Sequence, residues 1–312
     1  MTKGTKIVLI IAGICIALSI ILLGVGAMLG GTRFADGIDT EIFGFNVHMG
    51  RDGVYAEGGN DGFSHFGEIE STGSETVATF DEDIRAVEIN WVAGNIDFVI
   101  GGDVITVKEE CFGSVDSDEM MSCRVENGTL KIGYSDERIT FVGLDFSDAE
   151  KHLTVTVPEH LVSEITRISV DAVSSEINLG GFELRSLTIN TVSGSSELYD
   201  ITADIFEADT VSGNVTAAEN CSFGKADIDT VSGSAFLSLD TVPNEFGFDS
   251  TSGNVTLELP ADAEFELEFD RTSGELELEF AAVKRGDEYI VGSGRNEFSI
   301  ETTSGDAIIR IK

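Results

Sequence analysis

Asp209-Thr210-Val211-Ser212-Gly213-Asn214 and Asp229-Thr230-Val231-Ser232-Gly233-Ser234 are two copies of one phrase, and the phrase recurs along the second half of the chain. Further copies are N-T-V-S-G-S around Gly194, D-S-T-S-G-N around Gly253, D-R-T-S-G-E around Gly274 and E-T-T-S-G-D around Gly305. A weaker copy, D-A-V-S-S-E, contains Ser175, and an isolated early one, N-W-V-A-G-N, surrounds Gly94. From Ser175 to Gly274 the steps are 19, 19, 20, 20 and 21 residues. A fixed period of this length marks one structural unit stacked on copies of itself.

The residues around each glycine say what the unit is. Before Gly213, Thr210, Ala208 and Phe206 alternate with polar neighbours; after Gly233, Ala235, Leu237 and Leu239 do the same. Period two on both arms means two strands, each with one buried face. The two inward series are out of phase across the glycine, so the Ser-Gly step is a corner or bulge. Glycine suits a corner that needs positive φ. Each repeat is then strand, corner, strand, loop.

An antiparallel meander with the glycines at hairpin tips would also fit this pattern. The near-fixed period and the identical residues at identical offsets favour a solenoid, in which successive repeats stack in parallel about 4.8 Å apart. Ser193, Ser212, Ser232, Ser252, Ser273 and Ser304 are read as one inward hydroxyl column, and Thr191, Thr210, Thr230 and Ser250 as a second. Arg271 interrupts the second column, where a buried charge would be costly, so the coil is expected to widen there. The longer step to Gly305 includes the polar insertion 284–288.

The fold class read from this pattern is all-β: a parallel β-solenoid of about 20-residue rungs with a β cap, preceded by one transmembrane helix. Residues 1–6 are assigned to a cytoplasmic tail, 7–29 to the membrane helix and 30–79 to a glycine- and acid-rich linker. Residues 80–165 are assigned to the cap and first rung, and 166–312 to the repeats.

The segment Ile7 to Leu29 carries no charge. At about 1.5 Å per residue it spans roughly 34 Å, enough for the ~30 Å hydrocarbon core. Lys3 and Lys6 precede it, and Arg33, Asp36, Asp39 and Glu41 follow. A basic flank stays in the cytoplasm, so the expected location is a single-pass plasma-membrane protein with an extracellular C-terminal domain. The apolar run exceeds that of a cleaved signal peptide.

The chain has 19 basic and 56 acidic residues, a net charge of −37. Such a surface repels nucleic acid and anionic lipid. Cys111 and Cys123 bracket a polar loop and would lie outside the membrane, where a disulfide is permitted and would contribute about 3 kcal/mol. Two separate thiols are the other reading.

Motifs for catalysis are missing from the sequence. His48, His65, His152 and His160 show no metal-ligand spacing, and there is neither a nucleophile elbow nor a phosphate loop. The chain is read as a non-enzyme with no cofactor. The best candidate site is a column of acids four residues before each corner: Asp171, Asn190, Asp209, Asp229, Asp249, Asp270 and Glu301. These point outward, beside Val173, Val192, Val211, Val231, Thr251, Thr272 and Thr303. Stacked about 4.8 Å apart, exposed neighbours repel by about 0.9 kcal/mol in water. Asp209, Asp229, Asp249 and Asp270 offer carboxylates to Ca²⁺ or to a cationic polymer. Calcium needs about 6–8 oxygens, more than two stacked aspartates supply, so a solvated acidic stripe is the reading taken.

The opening I-R-A-V-E-I-N-W-V-A-G-N-I-D-F-V-I, the middle L-T-V-T-V-P and the serial T-V-S-G-N-V resemble the bacterial "putative adhesin" family of unknown function. The resemblance runs from about Phe80 to the C-terminus. It implies a membrane-anchored envelope protein with a β-solenoid ectodomain, and it supplies no catalytic residues. The function it suggests is a binding or adhesion-type module whose partner is a cell-surface or envelope protein or polysaccharide. The alternative is a structural or regulatory component of an envelope-stress system acting through the anchor.

Overall fold

The computed structural model describes residues 75–111, 120–134, 151–286 and 288–312 in full, and the strand backbone at 38–42, 45–50, 53–58, 68–71, 112, 139–140 and 150. The segment 7–29 lies outside the described residues. Among the described residues no helix is long and apolar enough to cross a membrane.

Strands β1 (Ile38–Ile42), β2 (Phe45–Gly50) and β3 (Gly53–Gly58) form an antiparallel ladder. A second antiparallel pair is β4 (Glu68–Ser71) and β5 (Glu75–Phe80). The sequence reading gives 30–79 to a linker, yet β5 lies in the main sheet with Thr76, Ala78 and Phe80 buried. Its alternation is only three residues deep and rests on threonine and alanine, too little apolar signal to stand out from a glycine-rich flank.

Strand β6 (Ala86–Ile100) is the first rung, bent at Gly94. Next come β7 (Ile105–Phe112), β8 (Ser122–Glu126), β9 (Thr129–Gly133), the short β10 (Ile139–Thr140), which pairs with β3, and β11 (Glu150–Val157). Of these, β7, β8, β9 and β11 cover the stack. One arm of β6 pairs in parallel with β9, and the other with β11. Behind them β8 lies antiparallel to β9, β7 antiparallel to β11, and β5 antiparallel to β7. Cys111 on β7 and Cys123 on β8 are not bridged. Both are buried thiols, with Cys111 Sγ 3.8 Å from Met120 Sδ and Cys123 Sγ 3.8 Å from Met121 Sδ. Burial, and then the charge of Glu109, push the Cys123 thiol far up.

Beyond a 3₁₀ turn at Glu159–Glu164 the stack grows by parallel, in-register pairing. Strand β12 (Arg167–Ser193) lies on β6, β13 (Ser196–Thr210) on β12, and β14 (Val215–Thr230) on β13. The next rung is β15 (Ala235–Leu239) and β16 (Glu245–Ser250) on β14, followed by β17 (Val255–Leu259) on β15. Inward side chains form columns between the arms, with Phe206 stacked on Phe223 at 4.8 Å and Phe265 on Phe298 at 4.6 Å between ring centroids.

Sequence order then stops matching spatial order. The chain continues through β18 (Phe265–Arg271), β19 (Leu276–Leu278), the hairpin β20 (Ala282–Arg285) and β21 (Glu288–Val291), then β22 (Asn296–Thr302) and β23 (Ala307–Ile311). It is β22 that pairs with β16, and β23 with β17. Strands β18 and β19 lie outside them, on β22 and β23. The Gly305 rung is therefore inserted between the Gly253 and Gly274 rungs. The side chains explain the exchange. The inserted rung brings Thr302 to the hydroxyl column and buries Phe298, Ile300, Ala307 and Ile309. The Gly274 rung carries Arg271 at that position, which is tolerable only at the end of the stack. The coil does not widen at Arg271; the guanidinium folds over Phe269, 4.9 Å from its ring centre.

The corners also differ from expectation in two respects. Gly94, Gly194 and Gly274 have positive φ, but Gly213, Gly233, Gly253 and Gly305 do not. At those four a Cβ would overlap the carbonyl oxygen of the glycine in the adjacent rung. Glycine is there because of close backbone approach rather than handedness. The serine column is not inward: Ser212, Ser232, Ser252, Ser273 and Ser304 are exposed. Their hydroxyls donate to backbone carbonyls one rung away, as from Ser212 to Val192 at 3.3 Å and from Ser304 to Thr251 at 3.3 Å. The threonine column is inward. Thr210, Thr230 and Thr302 Oγ1 accept the N–H of their own corner glycine at 2.9, 2.8 and 2.7 Å, satisfying buried donors that no strand reaches.

Candidate functional site: the acidic ladder and the cap junction

The outward residues before the corners form one continuous row. The Cα register is Asn90, Asp171, then Asn190, Asp209, Asp229, Asp249, Glu301 and Asp270. Asp249 and Asp270 are not neighbours, as succession in sequence suggests, because Glu301 stands between them. Asn190 Nδ2 donates to Asp171 Oδ1 at 2.7 Å, so an amide separates Asp171 from the longer acid run. Within that run Asp209 has its carboxyl pushed up to about 6, first by desolvation and then by the charges of Glu207 and Asp227. Its side chain still reaches solvent, so crowding along the face, rather than enclosure, displaces its water.

A second row caps the corners. Asn214 Oδ1 accepts the N–H of Ser234 at 3.0 Å, and Ser234 Oγ that of Asn254 at 3.3 Å. Asn254 Oδ1 accepts from Asp306 at 2.8 Å, and Asp306 Oδ1 from Glu275 at 2.8 Å. The two N-V-T glycosylation-like triplets at Asn214 and Asn254 thus supply corner caps, each joining one rung to the next.

Sequence reasoning missed the most deeply buried charges. Glu109 on β7 and Lys151 on β11 are 0% and 1% exposed and form an ion pair at 2.8 Å. Lys151 also donates to Tyr134 O at 2.7 Å and lies 4.0 Å from the Tyr134 ring centre, and Glu109 Oε2 accepts the Met121 N–H at 2.9 Å. The signal available was a charge at an inward position of each strand's alternation. Beside this junction a cleft of about 730 Å³ opens at the first corners, lined by Gly94, Asn95, His152, Ser175, Glu176 and Gly194 among others. His152 is half-buried there, and His160 is exposed after β11.

No three histidine, cysteine, aspartate or glutamate side chains converge to hold a metal ion among the described residues. The ladder presents carboxylates in single file. That arrangement suits repeated, weak contacts along a surface more than the enclosed coordination of one ion.

The model of the family described as Toastrack DUF4097 matches residues 87–241 and 219–310, from the first rung to the last. The chain belongs to the Toastrack DUF4097 family. The matched residues leave out β1–β5 and start inside β6. A comparison with curated proteins finds no match.

Solved structures similar to this Toastrack chain include three bacterial proteins. One is described as a putative cell adhesion protein from Clostridium sporogenes ATCC 15579, at 13% identity and TM-score 0.40, with 78% of this chain and 100% of that one covered. Another is a putative adhesin from Bacteroides fragilis NCTC 9343, at 13% identity and TM-score 0.43, with 76% and 97% covered. The third is a putative lipid binding protein from Parabacteroides distasonis ATCC 8503, at 13% identity and TM-score 0.41, with 77% and 98% covered.

Proposed function

We propose that this Toastrack protein is a non-catalytic binding module of the cell envelope. In this reading segment 7–29 holds it in the plasma membrane, with the rungs outside, and the acidic ladder meets a cell-surface or envelope partner. The observation that carries the reading is the in-register row of carboxylates from Asp209 to Asp270. A rigid face that repeats one charge about every 4.8 Å matches a partner whose positive groups, or bridging cations, also repeat. Each contact is weak and solvent-screened, so affinity comes from their number.

The test replaces Asp209, Asp229 and Asp249 together with asparagine and measures binding of the protein to isolated envelope material. Loss of binding with a melting temperature no lower than the parent's supports the ladder as the contact face. Undiminished binding removes it. Exchanging 7–29 for an unrelated membrane helix separates this reading from action through the anchor: a binding module keeps its function after the swap, and a membrane-coupled regulator loses it.

A further inference from the structure

The two ends of the stack are finished differently. At the N-terminal end both arms of the first rung are covered, one by β9 and one by β11. At the C-terminal end, among the described residues, only one arm is. Strand β21 lies antiparallel on β18 from Phe265 to Glu268 and is backed by β20. The other arm of that rung, β19, pairs among the described residues with β23 alone.

Hydrogen bonding shows which backbone groups face outward. The Ala307 N–H donates to Glu275 O at 2.9 Å and the Glu279 N–H to Ile309 O at 3.0 Å. In a parallel strand each residue turns its N–H and C=O to the same side, and successive residues alternate. Glu275, Glu277 and Glu279 therefore face β23, and Leu276 and Leu278 turn their N–H and C=O to the open edge. Their side chains are half-buried at the end of the core, with Phe280 beside them. Native sheets seldom leave such an edge without a cover, a bulge or a charge.

The charges along this edge select the occupant. Glu275, Glu277 and Glu279 are all exposed on β19. The nearest outward cation on β23, Arg310, is already held by Glu258 at 2.6 and 2.9 Å. A second copy docked edge to edge would set glutamates against glutamates in a chain of net charge −37. We propose that the open edge at Leu276–Leu278 receives an extended segment of a basic partner protein as an added strand. Its backbone would pair with Leu276 and Leu278, its apolar side chains would continue the core, and its lysines or arginines would lie beside the three glutamates. This surface lies at the end of the stack and does not depend on the acidic ladder acting as a contact face.

The experiment uses the full chain in neutral detergent micelles and a fluorescein-labelled ten-residue peptide of alternating lysine and valine, followed by anisotropy. A second peptide of the same sequence carries backbone N-methyl groups along both edges, which keeps its charge and removes its N–H donors. Leu278→Pro removes one outward N–H and leaves the bonds to β23 in place. The expected result is saturable binding that weakens at least roughly tenfold with the methylated peptide and again with Leu278→Pro. The part of the binding that backbone methylation and Leu278→Pro remove is expected to persist when Asp229 and Asp249 are replaced by asparagine. If both peptides bind alike, general attraction of a polycation explains the result and the proposal fails. It fails also if Leu278→Pro binds as the parent does, or if the parent self-associates through an edge that Leu278→Pro abolishes. Melting followed by Trp91 fluorescence checks that the variant is folded; if it is not, the peptide pair alone decides.

Discussion

Gly213, Gly233, Gly253 and Gly305 lack a side chain because the carbonyl of the glycine one rung away fills that space. Gly233→Ala should therefore force two rungs apart, at a cost of about 3 kcal/mol. Gly286→Ala meets nothing within 4 Å and only the left-handed φ of 64° opposes it, so it should cost about 1 kcal/mol. Denaturant unfolding of the two variants measures the difference.

Asp209 makes a prediction with a definite sign. Its folded-state carboxyl is raised from 3.8 to about 6. Above pH 6 the fold therefore holds a charge it disfavours, and stability should rise as the pH falls through 6 and level off near the ordinary carboxylate range. Asp209→Asn should raise the melting temperature at pH 7.5 and flatten its dependence between pH 4 and 6; a melting curve unchanged at pH 7.5 would show that solvent screens the crowding.

The elements of the stack were largely legible from the sequence, because period two on both sides of each glycine specifies two arms and a corner. The threonine column was legible for the same reason. The serine column was misplaced: the residue beside the corner turns outward, and a count of alternating positions cannot follow the chain through a bend. The cap was less readable still. Its strands cover the end of the stack with no repeat to align them, and nothing in the sequence pairs Glu109 with Lys151 until β7 and β11 lie side by side. That pair now makes the cap's own prediction. Lys151→Met should cost about 3–5 kcal/mol, since it leaves Glu109 buried without its cation, and adding Glu109→Gln should recover part of the loss. Calorimetric unfolding of the single and double variants measures the coupling.

For the whole molecule, the sequence implied the stack and the family, but not the order of its last rungs. Arg271 in the threonine column and the long step to Gly305 were the visible traces of the exchange, and both fit a simple widening of the coil as well. What decides between them is which rung can be buried on two sides. The neutral, apolar rung of β22 and β23 can be; the rung with Arg271 and the three glutamates cannot. The same exchange places the open acidic edge at the end of the protein, and it sets Glu301 between Asp249 and Asp270 in the ladder.

Disulfide trapping of paired cysteine substitutions tests that order most directly. Thr256 and Ile308 face each other on adjacent strands, whereas Thr256 and Glu277 lie two rungs apart in register. The account predicts that Thr256→Cys with Ile308→Cys cross-links readily under mild oxidation, and that Thr256→Cys with Glu277→Cys does not. The reverse outcome would mean that the rungs stack in sequence order and that the inserted final rung is wrong.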